Sequence, residues 1–204
     1  MIKAWTTLPE KATVEITMAA LRAHGMDAQL ISKEKVKEAV LALLPEQAEV
    51  MTMTSVTLDT LGIAKEINES GHYQAVRPKL YSLDREKQKK EMRVLGTAPD
   101  YAVGSVHAAT ENGELLIASN TGSQLPAYAY GAGKVIFVIG THKIVKNTEE
   151  GLERIYQHSL VLESERAKKA YGVAGSSVNK ILIINKEYQA GRITVFFVED
   201  VLGF

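Results

Sequence analysis

Apolar and polar residues in the first half of the chain recur with the spacings of helices and strands. After Ser32, a candidate N-cap, apolar residues return every three or four positions as far as Pro45, which predicts an amphipathic helix. The same reasoning predicts a helix over residues 9–24, a strand over 27–32, a strand over 49–54 and a helix over 55–67. Strands and helices therefore alternate here, as they do where a sheet is parallel.

The second half of the chain is richer in strand-like runs. Three short segments, over residues 101–109, 115–119 and 135–139, are predicted as strands, and residues 125–132 as a short helix. Thr148, as an N-cap, begins a helix that extends to Tyr171. The runs 180–185 and 193–198 are separated by a short segment that suits a β-hairpin. These elements predict an α/β fold with a mostly parallel open sheet and an antiparallel portion.

The charged residues are balanced, because Lys and Arg number 24 and Asp and Glu also number 24. With a formal net charge of +0, the chain has no overall field that would recruit nucleic acid or an acidic membrane. Residues 83–94 are densely charged, but acids alternate with bases, which favours a solvated helix over a basic binding patch. We therefore expect no nucleic-acid partner and no membrane partner.

The length of 204 residues suits a single domain over residues 1–204. The chain has no Cys, which excludes a disulfide, a thiolate zinc site, a cysteine-ligated iron–sulfur cluster and a cysteine nucleophile. The N-terminus lacks a basic region followed by an apolar core, and no run of about 18 apolar residues occurs. We expect a cytoplasmic protein that uses no cofactor.

Hydroxyl side chains follow the strand predicted over residues 49–54. Ser55 and Thr57 stand where that strand ends and the next helix begins. Free N–H groups and the helix dipole attract phosphate or carboxylate at such a junction, and ligands collect at this end of open α/β sheets. A helix cap explains the same residues without any ligand. The sequence leaves both interpretations open.

A polar turn between two predicted strands contains Glu111, Asn112 and Gly113. A hairpin turn accounts for Asn-Gly, because both residues tolerate a positive φ, and Glu111 is then a solvated turn residue. Alternatively, Glu111 is a catalytic residue, acting as a general base or as a nucleophile that attacks an activated acyl group.

Two further strand ends carry polar residues suited to an anion. The first is the turn of Asn120, Thr121, Gly122, Ser123 and Gln124, which offers hydrogen-bonding groups and a Gly that allows close approach of a ligand. Its glycine spacing matches neither a Walker loop nor a dinucleotide fingerprint.

The second strand end carries His142 and Lys143, after the most apolar run of the chain. Lys143 could neutralise an anionic ligand, and His142 could move a proton or bind a metal. A lone His at a strand end is also commonly structural. The other histidines show no HExxH spacing, so we predict no metal site.

Several segments together resemble one known family. They are residues 109–122, 135–145 and 191–204, with support from the Ser/Thr turn and the Leu-Gly of residues 54–62. The chain resembles the LUD domain family, named for lactate utilisation. The shared features are an acidic residue and Gly before a strand, a polar Gly turn, and an apolar strand followed by Lys-Ile-Val. The resemblance implies the three-layer α/β fold shared by ribose-5-phosphate isomerases, sugar-phosphate deaminases and CoA transferases.

The resemblance also implies a role near organic-acid oxidation, where LUD proteins accompany iron–sulfur subunits. Because this chain has no Cys, electrons would pass through another subunit. Residues 110–113, Thr-Glu-Asn-Gly, are similar to the Ser-Glu-Asn-Gly of some CoA transferases, in which the Glu forms an acyl-CoA anhydride. That similarity implies a nucleophilic Glu111.

Three functions follow as hypotheses. The leading one is a LUD-family protein of lactate or related organic-acid utilisation that binds a small anionic metabolite at strand-end turns. The second is a non-catalytic accessory subunit of an organic-acid oxidising complex, whose contact surface includes the helix from Thr148 and the apolar residues 201–204. The third is a CoA transferase with Glu111 as nucleophile. We also expect a homo-oligomer, and the sequence leaves open whether the protein is an enzyme.

Overall fold

The computed structural model describes residues 4–204, which form two β-sheets and the helices that cover them. The strands are β1 (Asp27–Leu30), β2 (Glu49–Thr52), β3 (Gln74–Ala75), β4 (Tyr101–Gly104), β5 (Ala108–Thr110), β6 (Leu115–Ser119), β7 (Lys134–Gly140), β8 (Ile144–Val145), β9 (Lys180–Ile184) and β10 (Ile193–Val198). The α-helices are α1 (Lys11–Ala23), α2 (Lys33–Ala42), α3 (Val56–Thr60), α4 (Ile63–Glu69), α5 (Val76–Ser82), α6 (Lys89–Leu95), α7 (Thr148–Arg154) and α8 (Leu160–Tyr171). Two π-helical turns (Ala127–Gly131 and Ile155–Ser159) and a 3₁₀ turn (Thr141–Lys143) are also present.

The main sheet has six parallel strands in the order β1-β10-β7-β4-β2-β3. Alternate residues of β7 enter different hydrophobic clusters: Phe137 packs with α1 on one face, and Ile136 and Val138 pack with α2 and α4 on the other. A parallel sheet covered on both faces needs such apolar runs. The predicted α/β class with a mostly parallel sheet is confirmed.

The antiparallel portion is a separate four-stranded sheet in the order β8-β5-β6-β9. β5 and β6 form the predicted hairpin, and the turn between them includes Gly113. The single strand predicted over residues 101–109 is wrong, because β4 belongs to the main sheet and β5 to the second sheet. The carbonyls of Val106 and His107, between these strands, accept hydrogen bonds from the side chains of Lys143 and Arg154.

The hairpin predicted for the last two strands is also wrong. β9 pairs antiparallel with β6, whereas β10 lies between β1 and β7 in the main sheet. The connection between them is held by Arg192, which bonds to Glu187 at 2.7 Å and donates to backbone carbonyls of the first π turn. Two apolar runs close in sequence therefore occupy different sheets. The spacing of apolar residues within each run does not indicate which sheet the run joins.

The helical predictions hold with shifted boundaries. Helix α7, the second π turn and α8 are continuous over the predicted range, and the N-cap is Asn147 rather than Thr148 because the Asn147 side chain accepts from the N–H of Glu150. The segment predicted as a short helix over 125–132 contains the first π turn, and the charged segment over 83–94 contains part of α6. Within residues 4–204, no helix is long and apolar enough to cross a membrane.

Gly113 has a specific packing reason to be glycine. Its φ is +87°, and a Cβ there would lie 2.7 Å from the backbone carbon of Ala20 in α1. Gly62 has a similar φ of +66°, but its Cβ would meet nothing within 4 Å. Both changes to Ala cost about 1 kcal/mol or more of backbone strain, and Gly113→Ala adds a steric cost of about 1–3 kcal/mol. We expect urea unfolding to show the larger loss for Gly113→Ala, and equal losses would contradict this packing.

Candidate functional site

A cavity of about 260 Å³ lies at the carboxyl ends of several strands. Its walls include residues from the segments that follow β2, β4, β6, β7 and β10, together with residues of both π turns, the start of α3 and the segment after α8. The carboxyl ends of parallel strands meet at one edge of a sheet, and side chains distant in sequence converge there. The π turns contribute Tyr128 from the first and Ile155 and Ser159 from the second, and such turns are frequent at functional sites.

Lys143 supplies a buried amine to this cavity. Its side chain is 2% exposed, and Nζ lies 3.3 Å from Thr57 Oγ1, 3.3 Å from Ser105 Oγ and 3.2 Å from the carbonyl oxygen of Val106. Thr57 Oγ1 donates to the carbonyl of Leu202 at 2.9 Å, so it receives a hydrogen from Lys143. Three oxygen atoms therefore fix the position of Nζ in the cavity wall.

No carboxylate among residues 4–204 forms a salt bridge with Lys143. Burial, and secondly the positive charge of Arg154, hold the pKa of the Lys143 ammonium well below its usual range. An unpaired buried cation is costly, so the group tends to lose its proton unless a negative charge arrives. The site therefore favours an anion or a neutral amine.

Arg154 lies behind the same wall and is 0% exposed. Its Nη1 donates to the carbonyl of His107 and to Ser159 Oγ at 3.2 Å. Its Nε and Nη2 have no hydrogen-bond partner within the described part of the chain. Burial lowers the pKa of Arg154 to about 10, so the guanidinium stays charged at neutral pH. Lys143 and Arg154 thus bond to consecutive carbonyls, and Arg154 places a positive charge behind the wall that contains Lys143.

Two neutral polar side chains also line the cavity. His107 Nδ1 accepts a hydrogen bond of 3.1 Å from the N–H of Ala118, which assigns the ring hydrogen to Nε2. Burial, followed by the charge of Lys143, lowers the pKa of His107 to about 3. Burial raises the pKa of the Tyr128 hydroxyl above its usual range. Both groups therefore stay neutral and can donate hydrogen bonds to a ligand.

The rim of the cavity includes an ion pair and a hydroxyl-rich segment. Arg166 and Glu163 are joined by two hydrogen bonds of 2.7 Å, and the guanidinium lies 5.4 Å from the centre of the Tyr171 ring. Ser176 and Ser177 follow, and the N–H of Ser176 donates to Ser164 Oγ at 3.1 Å. Since Arg166 is already paired with Glu163, it adds little uncompensated charge to the cavity.

The structure brings together residues from three of the four predicted strand-end turns. The predicted site residues that line the cavity are Ser55, Thr57, Asn120, Thr121, Ser123, Gln124 and Lys143. Ser55 also caps α3 by accepting from the N–H of Leu58 at 3.4 Å, so the cap explanation applies as well. Gly122 belongs to the same turn but has a φ of +82° and faces the side chain of Lys180.

The remaining predicted residues lie elsewhere. Glu111, Asn112 and Gly113 form the β5–β6 turn, at the opposite end of that hairpin from the cavity residues after β6. His142 is buried next to Lys143 in sequence, and its Nδ1 lies 3.3 Å from the carbonyl of Asp200. Burial, followed by the charge of Lys143, lowers its pKa to about 3. A ligand role for these four residues stays a prediction.

Sequence reasoning missed four residues that shape the site. Ser105 and His107 were assigned to a strand, Tyr128 to a short helix, and Arg154 to the helix from Thr148 without a site role. The run of Ser and His directly after Gly104 was the available signal, because polar residues after a buried strand are typical of a ligand edge. Nothing in the local pattern of residues 148–171 marks Arg154 as buried.

No group of three or more His, Asp or Glu side chains in residues 4–204 could hold a metal ion. Besides the carboxylates of Asp59 and Glu163, the side chains that line the cavity include hydroxyl, amine, imidazole and phenol groups. These groups hold and move protons and stabilise negative charge.

Comparisons with known proteins identify the family. No curated protein matches the sequence. Among solved structures, the chain is similar to a DUF162 family protein from Deinococcus radiodurans, with a TM-score of 0.58 and 13% sequence identity. That match covers 94% of this chain and 99% of the other, and at this identity it supports the fold alone. The LUD domain family matches residues 14–198, which is most of the chain, so the protein belongs to the LUD domain family.

Proposed function

We propose that the protein binds a small organic acid, such as lactate, with the carboxylate in the cavity beside Lys143. The observation that carries the proposal is the buried Lys143 amine, which lines the cavity without a carboxylate partner in residues 4–204. A ligand carboxylate supplies the missing negative charge. The name of the LUD family, from lactate utilisation, agrees with an organic acid as the ligand.

The size of the cavity favours a small ligand. Its volume of about 260 Å³ is just below the range of about 300–1,000 Å³ that is typical of sites for larger ligands. An acid with a few carbon atoms fits inside. The nucleotide and pantetheine arm of an acyl-CoA would have to lie outside, and Glu111 is not among the cavity residues. We therefore favour acid binding over the CoA transferase hypothesis.

The polar groups of the cavity suit a hydroxy or oxo acid. The hydroxyl of Ser55, with the Nζ of Lys143, can donate hydrogen bonds to a carboxylate. The neutral donors His107 and Tyr128 can bond to the oxygen on the next carbon. The ligand is thereby recognised at two adjacent oxygen-bearing groups.

A role as an accessory subunit is a second proposal, supported by exposed side chains along one helical segment. Along the helix from Thr148 to Tyr171, apolar and aromatic side chains are exposed, namely Tyr156 at 51%, Val161 at 50% and Tyr171 at 63%. Exposed aromatic residues are enriched where proteins meet. An iron–sulfur subunit of an organic-acid oxidising complex, or a second copy of the chain, would contact this surface, and co-purification at native expression levels tests it.

Isothermal titration with matched ligands tests the acid-binding proposal. We expect lactate and pyruvate to bind and lactamide, which has the same shape without the charge, not to bind. A ligand at about 100 times its dissociation constant also raises the free energy of unfolding by about 2.7 kcal/mol, which a thermal shift detects. Equal binding of lactate and lactamide, or no binding of any small acid, would overturn the proposal.

A further inference from the structure

The geometry around Lys143 suits a neutral amine as well as an ammonium. The carbonyl of Val106 and the hydroxyl of Thr57 accept two N–H hydrogens, since Thr57 has already given its own hydrogen to Leu202. The hydroxyl of Ser105, 3.3 Å from Nζ, can act as donor or acceptor. A neutral amine needs two acceptors, and its lone pair is then free for a third partner.

We propose that Nζ of Lys143 forms a covalent imine with the carbonyl carbon of a 2-oxo acid held in the cavity. This inference rests on the proposed function and names the substrate class of the same site. Lysines form imines with carbonyl substrates when they lie in a desolvated pocket or beside another cation, because both conditions favour the neutral nucleophile. Lys143 meets both conditions, through its burial and through Arg154.

The bond changes balance without an additional reactant. The nitrogen lone pair attacks the carbonyl carbon, the C–N bond forms, and the carbonyl π electrons move to oxygen, which gives a carbinolamine after proton transfer from nitrogen to oxygen. Loss of one water then leaves the C=N bond, and uptake of one proton from solvent gives the iminium ion. The Ser105 hydroxyl, in contact with Nζ, can donate a hydrogen bond to the departing oxygen.

Charge balance in the cavity supports the same conclusion. Burial and the nearby charge of Arg154 lower the pKa of Lys143, which favours the uncharged amine before a ligand enters. When a 2-oxo acid binds, the iminium nitrogen carries a positive charge beside the ligand carboxylate. When a hydroxy acid binds, the amine takes up a proton and pairs with the carboxylate instead. In both cases a positive charge on Nζ balances the negative charge of the ligand carboxylate.

Imine formation at one site is expected because Lys143 differs from the other described lysines. Among the described lysines it is the one that is buried, whereas Lys168, Lys180 and Lys186 are exposed to solvent. Desolvation favours the neutral, nucleophilic amine, and solvent-exposed lysines lack it. A trapped adduct should therefore appear on the peptide that contains Lys143.

Reduction with borohydride in the presence of pyruvate tests the proposal. We expect wild-type protein to gain one carboxyethyl group, located at Lys143 by peptide mass spectrometry, and Lys143→Met to gain none at that position. Lactate has no keto group, so lactate with borohydride should give no adduct. Excess lactate should nevertheless protect Lys143 from pyruvate, a result that does not depend on whether a variant folds.

The outcomes separate this inference from the proposed function. If titration shows that lactate and pyruvate bind but no adduct forms at Lys143, the imine is overturned and acid binding stands. If neither acid binds, both proposals fall. Adducts spread over exposed lysines, to the same extent in Lys143→Met, would also overturn the imine.

Discussion

Replacing Lys143 with Met is expected to weaken lactate binding by about 10-fold to 150-fold. Hydrogen bonds to charged groups contribute about 1.5–3 kcal/mol, and each 1.4 kcal/mol is a factor of ten in affinity. Met has a similar length and no charge, so the change removes the amine while keeping most of the side-chain volume. Isothermal titration of both proteins with lactate measures the difference.

Lys186→Met is the matched control for this change. It removes the same formal charge from an exposed side chain that does not line the cavity. We expect it to leave the lactate dissociation constant within about twofold, because exposed charges interact weakly with distant sites in salt. Equal losses of affinity in the two variants would show that overall charge, rather than Lys143, governs binding.

The pH dependence of lactate affinity gives a second readout of the same residue. Because the free amine has a lowered pKa, lactate binding above that pKa requires the uptake of one proton. Affinity should then fall as pH rises, by up to about tenfold per pH unit, until the pKa of the complex is exceeded. The affinity of Lys143→Met should lack this slope.

Lys143→Met is also expected to be more stable than the wild type, by a margin that grows as pH falls. In the unfolded chain the lysine ionises near its usual pKa of about 10.4, whereas burial lowers the pKa in the folded protein. Between these two values the unfolded chain binds one proton more than the folded protein. Stability of the wild type therefore decreases with decreasing pH by about 1.4 kcal/mol per pH unit in this window.

Above the pKa that Lys143 has in the unfolded chain, its amine is uncharged in both the folded and the unfolded wild type. The pH-dependent difference in stability between Lys143→Met and the wild type therefore disappears there. Below the lowered folded pKa both states are charged, and the margin becomes constant. Urea unfolding of both proteins from about pH 6 to about pH 11 measures the difference, in which other titrating groups largely cancel. A margin that does not change with pH would mean that Lys143 keeps an ordinary pKa.

Local sequence patterns were sufficient for most of the elements. The apolar spacing after Ser32 predicted α2, and the run before Gly140 predicted β7, because both elements bury a face whose period appears directly in the chain. Polar residues at strand ends also indicated Thr57 and Lys143 as site residues, since strand ends of a parallel sheet share one edge.

The sequence by itself thus determined the α/β class, most helices and strands, and several polar residues of the cavity. Only the tertiary structure decided that β9 and β10 lie in different sheets, that β4 and β5 are separate strands, and that Arg154 lies behind Lys143. Strand pairing and the burial of a charged side chain depend on contacts between residues far apart in the chain. The lowered pKa of Lys143, on which the proposed chemistry depends, arises from those distant contacts.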